Sequence, residues 1–454
     1  MSEWAFPGAE DRSLSGSEEL VQAFTRSAKP PSLFRIGMEI EAFGVDASTG
    51  MSIPYSGERG IEAILARMAE GGDWELQTES GRPVGLARGE SRVSLEPGGQ
   101  FELATSPCRD LFELEREFET YRRELDAAAR PLGVAFLGLG VHPFAPVDRI
   151  PWVPKARYDW MRRRLPSRGH LAHHMMKSTA AVQVSLDHAD EEDMAAKLRV
   201  GLALSGVAAA LFANASLSIG GPNGYQSLRG HVWRYTDPSR CGLIPAALGP
   251  GSFGYADYVD HALGVPVLFL LRDGRYLEID ASFREFLADG LGQHRATFSD
   301  WSMHLSGIFT EARLKNVVEL RSVDSQPPDR VLAVPALWKG LLGHPESLRE
   351  ALAFVEGWGA DELDRLAEAG ARLGLGALFR GRPLAGWASD MVALARRGLD
   401  RADATGPGGR REPELLAPIE PWAGAGRSPG QEALDAWERN PAGIGAWVVD
   451  RYRF

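Results

Sequence analysis

The chain has 454 residues, 44% hydrophobic and 24% charged, with a formal net charge of −11. That length allows more than one domain, the composition is that of a globular protein, and the acidity argues against a protein-wide nucleic-acid footprint. Two cysteines, Cys108 and Cys241, lie far apart without CxxC spacing, which argues against a disulfide scaffold or a zinc ribbon.

The start of the chain, Met1 to Leu20, is polar and acidic and has no basic segment followed by an apolar stretch. With the sparse cysteines this predicts a cytoplasmic protein without a signal peptide. Ser17 to Arg26 predicts an amphipathic helix, so residues 1–33 read as a helical extension that Lys29-Pro30-Pro31 closes. The strand that follows, Arg35 to Gly44, alternates Ile36, Met38 and Ile40 with Gly37, Glu39 and Glu41. Period two puts the two carboxylates on one face and the apolar residues on the other.

Ile61 to Glu70 predicts a helix ended by Gly71-Gly72-Asp73. Ser91 to Thr105 alternates again, broken by Pro97-Gly98-Gly99, and predicts a bulged strand or tight hairpin that brings Glu96 near Glu102. Arg109 to Ala129 predicts a long helix, and Gly133 to Val141 a short apolar strand. Ile150 to His170 is rich in Arg and Trp, and its run Arg162-Arg163-Arg164 reads as a solvated basic face. His173-His174 reads as loop or extended chain.

Thr179 to Asp187 predicts a strand with Gln183 and Ser185 on its polar face, and Asp190 an N-cap for a helix over Glu191 to Ala213. The most apolar part of that helix, Val200 to Ala213, is too short to span a bilayer, so no membrane partner is expected. Asp273-Gly274 predicts a hairpin turn. Asn316 to Asp324 predicts a strand with Val317, Glu319, Arg321 and Val323 on one face. Helices dominate the rest, with a Gly/Pro-rich surface loop over Asp403 to Gly430 and a closing helix over Gln431 to Glu438.

Five carboxylates thus lie on strands with apolar opposite faces: Glu39, Glu41, Glu96, Glu102 and Glu319. Converging on one face of a curved sheet, they would be costly without compensation. Oxygen-only ligation without cysteine or a convincing histidine pair suits Mg²⁺ or Mn²⁺, and Mg²⁺ commonly shares its shell with substrate phosphates. The standard nucleotide loops are missing: there is no GxxxxGK[ST] and no GxGxxG between a strand and a helix. Phosphates would have to be held through metal and arginines.

Gly37-Met38-Glu39-Ile40-Glu41 and Leu95-Glu96-Pro97-Gly98-Gly99-Gln100-Phe101-Glu102-Leu103 resemble the metal-binding segments of glutamate–cysteine ligases of the plant and proteobacterial type. The resemblance continues through Thr179 to Asp187, Ala210 to Asn214, Pro222 to Arg229 and Leu314 to Asp324. It extends in part to the ligases of ergothioneine synthesis. Spanning roughly Phe34 to Leu342, it implies an α+β fold, a funnel of mainly antiparallel sheet flanked by helices; the chain divides into a catalytic domain over 34–400 and residues 401–454 packed on the same domain. It also implies ATP-dependent joining of the γ-carboxylate of L-glutamate to the amine of L-cysteine, with glutathione or ergothioneine synthesis as the pathway; a monomer or homodimer is expected.

By the same resemblance Glu39, Glu41, Glu96, Glu102 and Glu319 hold Mg²⁺; Arg321, two residues from Glu319 on the same face, is with Glu319 the candidate for phosphoryl transfer. Arg229 matches the family arginine expected to clamp glutamate, Gln183 sits where the family places a polar ligand-side residue, and Trp233 and Arg240 are further candidates for lining the substrate site. Two positions depart from the family pattern. Ala42 replaces a basic residue, and Ser185 stands where asparagine is common. The alternatives are a ligase of the same fold acting on another amine, and a non-catalytic homologue.

Overall fold

The computed structural model describes residues 12–454. Met1 to Asp11, and with them part of the expected N-terminal extension, lie outside the described residues.

Nine strands form one sheet: β1 (Ile36–Asp46), β2 (Glu75–Glu79), β3 (Arg82–Arg88), β4 (Ser91–Leu95), β5 (Phe101–Ala104), β6 (Val134–Leu137), β7 (Ala181–Leu186), β8 (Ala312–Leu314) and β9 (Val318–Asp324). The order is β8-β9-β7-β1-β5-β4-β3-β2, with β6 pairing the far end of β1, and every pair is antiparallel. β1 is the spine. Its first half lies between β5 and β7, and its second half carries β6. Burial along β1 alternates as its side chains do: Ile36, Met38, Ile40 and Ala42 are buried, while Gly37, Glu39 and Glu41 are half-buried.

The apolar face is covered by helices. α1 (Ser17–Ser27) packs Leu20 and Phe24 into the core. α2 (Ile61–Gly71) and α3 (Leu111–Ala129) cover the β1–β3 side, with Leu114, Phe118, Tyr121 and Leu125 buried at helical spacing. At the other end α6 (Glu191–Leu211) lies against β9, after α4 (Ala156–Arg164) and α5 (Ala172–Ser178). The Asp190 side chain caps α6, accepting from the Asp193 amide at 2.9 Å. Among the described residues α6 is the one helix long and apolar enough to cross a membrane, contrary to the length read from the sequence. However, 78% of its most apolar window is buried inside the protein, the setting of a core helix.

Several sequence expectations need correction. His173 and His174 lie in α5, and the ring of His173 is hydrogen-bonded to the Arg162 carbonyl. The Gly/Pro-rich stretch 403–430 contains a 3-10 turn, Glu412–Leu416, and a helix, Glu420–Ala425. Glu412 is fully buried, accepting from the Leu111 amide at the start of α3 (2.8 Å) and from Lys339 Nζ (2.5 and 2.7 Å). A helix over Ile444–Tyr452 follows the predicted closing helix, which runs Pro429–Arg439. The Asp273-Gly274 hairpin is present, both residues having positive φ, as a tight primed turn requires.

Candidate active site

The polar face of the sheet collects the acidic residues by register. Glu41 on β1 stands directly opposite Glu102 on β5, and Glu102 is paired across its other edge with Ser94, whose hydroxyl donates to it at 2.9 Å. Glu39 stands opposite Gln183 on β7, and Glu319 on β9 opposite Ser185. Glu96 is not on a strand. It opens the β4–β5 hairpin, where its amide donates to the Gln100 carbonyl and Gly99 turns back with φ of 84°. Gly98 is required by packing: a Cβ there would lie 2.3 Å from the Lys177 carbonyl oxygen.

β9 contains a bulge. Leu320 pairs with Val184, but the next pairing is Val323 with Val182, so Arg321 and Ser322 together oppose Gln183. The extra residue reverses the alternation. Val323 therefore joins the apolar core rather than the Glu319 face, which corrects the period-two reading. Asp324 falls in register with Ala181, whose amide donates to Glu41. Buried Asp324 accepts from the Asn214 amide (2.8 Å) and the Ser227 hydroxyl (2.9 Å), with Arg229 at 3.9 Å.

Glu319 is fully buried and gathers three cations. Arg313 donates through Nε to Oε2 (3.0 Å) and through Nη2 to Oε1 (2.8 Å), Lys315 Nζ lies 2.7 Å from Oε2, and Arg321 Nη1 donates to Oε1 at 2.5 Å. Arg321 also donates to the side-chain Oε1 of Gln183, and Gln183 Nε2 donates to Glu41 at 3.3 Å. Burial opposes the Glu319 charge, but these cations overcome it and hold its carboxyl well below the usual range.

The other four carboxylates behave oppositely. Burial raises Glu39, with Glu319 adding repulsion; burial and Glu96 push Glu41 up to about 8. Burial raises Glu96 against the pull of Lys155, Arg157 and Arg321, and Glu102 rises well above its usual value through burial and its three acidic neighbours. This half of the face is short of positive charge.

That shortage is the fit test for a metal. By donor type, oxygen only, and by its unmet charge, the set Glu39, Glu41, Glu96 and Glu102 suits a hard dication. Among the described residues no three acidic, histidine or cysteine side chains converge closely enough to hold one as they stand, so ligation requires these half-buried side chains to close together. Glu319, expected with them, has both oxygens engaged by cations.

Arg229 reaches the site from α7 (Leu228–Arg234), donating to the Ser322 carbonyl at 3.3 Å and the Arg321 carbonyl at 2.9 Å. The centre of the Trp233 ring lies 5.9 Å from the guanidinium carbons of both Arg229 and Arg321. With Phe309 and Ser322 these residues line a cleft beside β9. Arg240 does not join them. Its guanidinium is spent on Asp237 (2.6 Å) and on the Gly307 (3.0 Å) and Pro266 (2.8 Å) carbonyls, so it staples loops together. Arg313 and Lys315 were missed, although their alternation with Ala312 and Leu314 marks a polar face leading into the Glu319 strand. Lys155 was missed too: it lies outside the sheet, and its Nζ donates to the Leu95 carbonyl at 3.0 Å beside Glu96.

Comparison with known proteins places this architecture. The family model of glutamate-cysteine ligase family 2 matches residues 35–446. The chain is 37% identical over 425 residues to glutamate–cysteine ligase B, chloroplastic, of Oryza sativa subsp. japonica, covering 93% of this chain and 84% of that protein. It is likewise 37% identical over 424 residues to the chloroplastic glutamate–cysteine ligase of Arabidopsis thaliana, covering 92% and 79%. These chloroplastic relatives overturn the cytoplasmic expectation, which rested only on sparse cysteines and a polar N-terminus. Among solved structures the fold resembles a glutamate–cysteine ligase of Francisella tularensis, crystallised with AMP, at a TM-score of 0.58 and 10% identity, covering 92% of this chain and 87% of that one. The antiparallel sheet with its helical cover is the carboxylate–amine ligase fold, and the chain belongs to glutamate–cysteine ligase family 2.

Proposed function

We propose that the polar face of β1, β5, β7 and β9 is where this ligase joins the γ-carboxylate of L-glutamate to the amine of L-cysteine with ATP, giving γ-glutamylcysteine, ADP and phosphate. One observation carries the assignment to this face: four carboxylates short of positive charge adjoin three cations gathered on Glu319.

A carboxylate is a poor electrophile. A γ-carboxylate oxygen takes the terminal phosphoryl group of ATP and ADP leaves, giving γ-glutamyl phosphate. The amine nitrogen then attacks the acyl carbon, the bond to the phosphate oxygen breaks, and the nitrogen loses a proton. Positioning and charge neutralisation dominate the first step. Glu39, Glu41, Glu96 and Glu102 would hold Mg²⁺ or Mn²⁺, which when bound supplies positive charge to phosphate oxygens. Glu319 fixes Arg313, Lys315 and Arg321, and Arg321 neutralises charge on the transferring group. The Arg229 fork, with N–H groups to spare beyond its two carbonyl contacts, holds the α-carboxylate of glutamate, and Trp233 walls that end of the cleft.

The test is ADP release with ATP, Mg²⁺ and L-glutamate across a panel of amino acids and amines. Release that depends on cysteine, and is lost with a chelator, supports the proposal. Release with another amine in place of cysteine overturns the acceptor, and no release overturns the ligation reading.

A further inference from the structure

Glu311 is a carboxylate in the substrate cleft that neither the metal set nor the cation group uses. It precedes β8, and its backbone is held on both sides: its amide donates to the Gly242 carbonyl (2.8 Å) and its carbonyl accepts from the Arg321 amide (2.9 Å). It lines the cleft that Arg229, Trp233, Phe309, Arg321 and Ser322 share. Burial raises its carboxyl above the usual range against the pull of Arg229, Arg321 and Arg234; it forms an ion pair with none of them, and no donor hydrogen-bonds its carboxylate among the described residues. Arg234 is spent elsewhere, on Asp364 and Glu368.

The same cleft presents donors without acceptors. Arg321 Nε, Trp233 Nε1 and Ser322 Oγ are buried and make no hydrogen bond among the described residues, and Ser322 is only 4% exposed. Buried polar groups of native proteins are normally paired. Unmet donors in the residues lining the cleft, together with an unmet carboxylate, match a zwitterion, whose carboxylate and ammonium lie on one carbon.

We propose that Glu311 receives the α-ammonium group of L-glutamate while Arg229 holds its α-carboxylate, so that Glu311 makes the enzyme select an amino acid over a plain dicarboxylate. This rests on the reading of the cleft as the glutamate site. A charge-assisted hydrogen bond in a half-buried cleft discriminates strongly against a ligand that lacks the donor, because the carboxylate is then left unpaired.

Glutarate is glutamate without the amine and is the probe. In the full chain the glutamate KM and the inhibition constant of glutarate against glutamate are measured from ADP release, for wild type, Glu311→Gln and Glu311→Asp. Thermal melts check folding. The expected result for Glu311→Gln is a glutamate KM raised tenfold or more, with the glutarate constant, the ATP KM and kcat within threefold of wild type. Glu311→Asp should recover part of the loss. An unchanged glutamate KM overturns the assignment. So does a parallel rise for glutamate and glutarate, which marks a structural role, and so does a rise confined to cysteine. Those results leave the ligase reading standing. Absence of glutamate-dependent ADP release in the wild type overturns both.

Discussion

Glu41 and Glu102 face each other directly across the β1–β5 ladder, two carboxylates in register. Like charges directly opposite on a sheet face cost stability, by up to about 1 kcal/mol for a pair. Glu102→Gln removes that repulsion and keeps an acceptor for Ser94. The variant should melt about 1–2 °C higher than wild type and lose at least a hundredfold in kcat. Calorimetric scans and ADP release check both halves. A less stable variant would show that the pair is already compensated.

Glu319 predicts the opposite sign. Removing its charge leaves Arg313, Lys315 and Arg321 buried without their shared partner. Breaking a buried ion pair costs about 3–5 kcal/mol. Glu319→Gln should therefore lower the denaturant midpoint markedly as well as abolish ligation. A variant as stable as wild type would mean that the three cations find other partners.

Glu412 and Lys339 tie the C-terminal segment to the start of α3. Glu412→Ala strands the Lys339 ammonium and the Leu111 amide, and should cost about 3–5 kcal/mol by denaturant unfolding. It lies outside the proposed site, so the glutamate and ATP KM values of the folded fraction should not change.

Burial holds two histidines neutral, with His142 and His304 each pushed down to about 3. His142 Nδ1 accepts from the Phe144 and Ala145 amides, and His304 Nε2 is hydrogen-bonded to the Ala262 carbonyl. Between pH 6.5 and 3 the unfolded chain binds protons that the folded chain excludes, so each histidine lowers stability as pH falls through that window, by about 1.4 kcal/mol per unit. His304→Gln keeps a donor for Ala262 and should lose stability less steeply than wild type in urea melts from pH 7 to 5. An unchanged slope would mean that His304 charges freely in the folded state.

The spine of the site was legible because β-strand alternation is local. Glu39, Glu41 and Glu102 each sit between buried neighbours, and nothing interrupts that pattern within a strand. The bulge at Arg321–Ser322 was not legible, since it depends on pairing with Gln183, and it moved Val323 to the opposite face from the one read. Strands β2 and β3 escaped because their burial hardly alternates. Arg240 misled because an arginine near a site looks the same in sequence whether it faces substrate or staples loops. Glu311 went unnoticed because its cleft is assembled from segments more than 80 residues apart, between Arg229 and Glu311.

The central claim is that the carboxylate face of β1 is the ligation centre. Its most direct test is cysteine-dependent ADP release by Glu39→Gln at saturating Mg²⁺, ATP and L-glutamate, alongside a melt of the same sample. The account predicts at least a thousandfold loss of turnover in a protein that melts no lower than wild type. Near-normal turnover in the folded variant would contradict it.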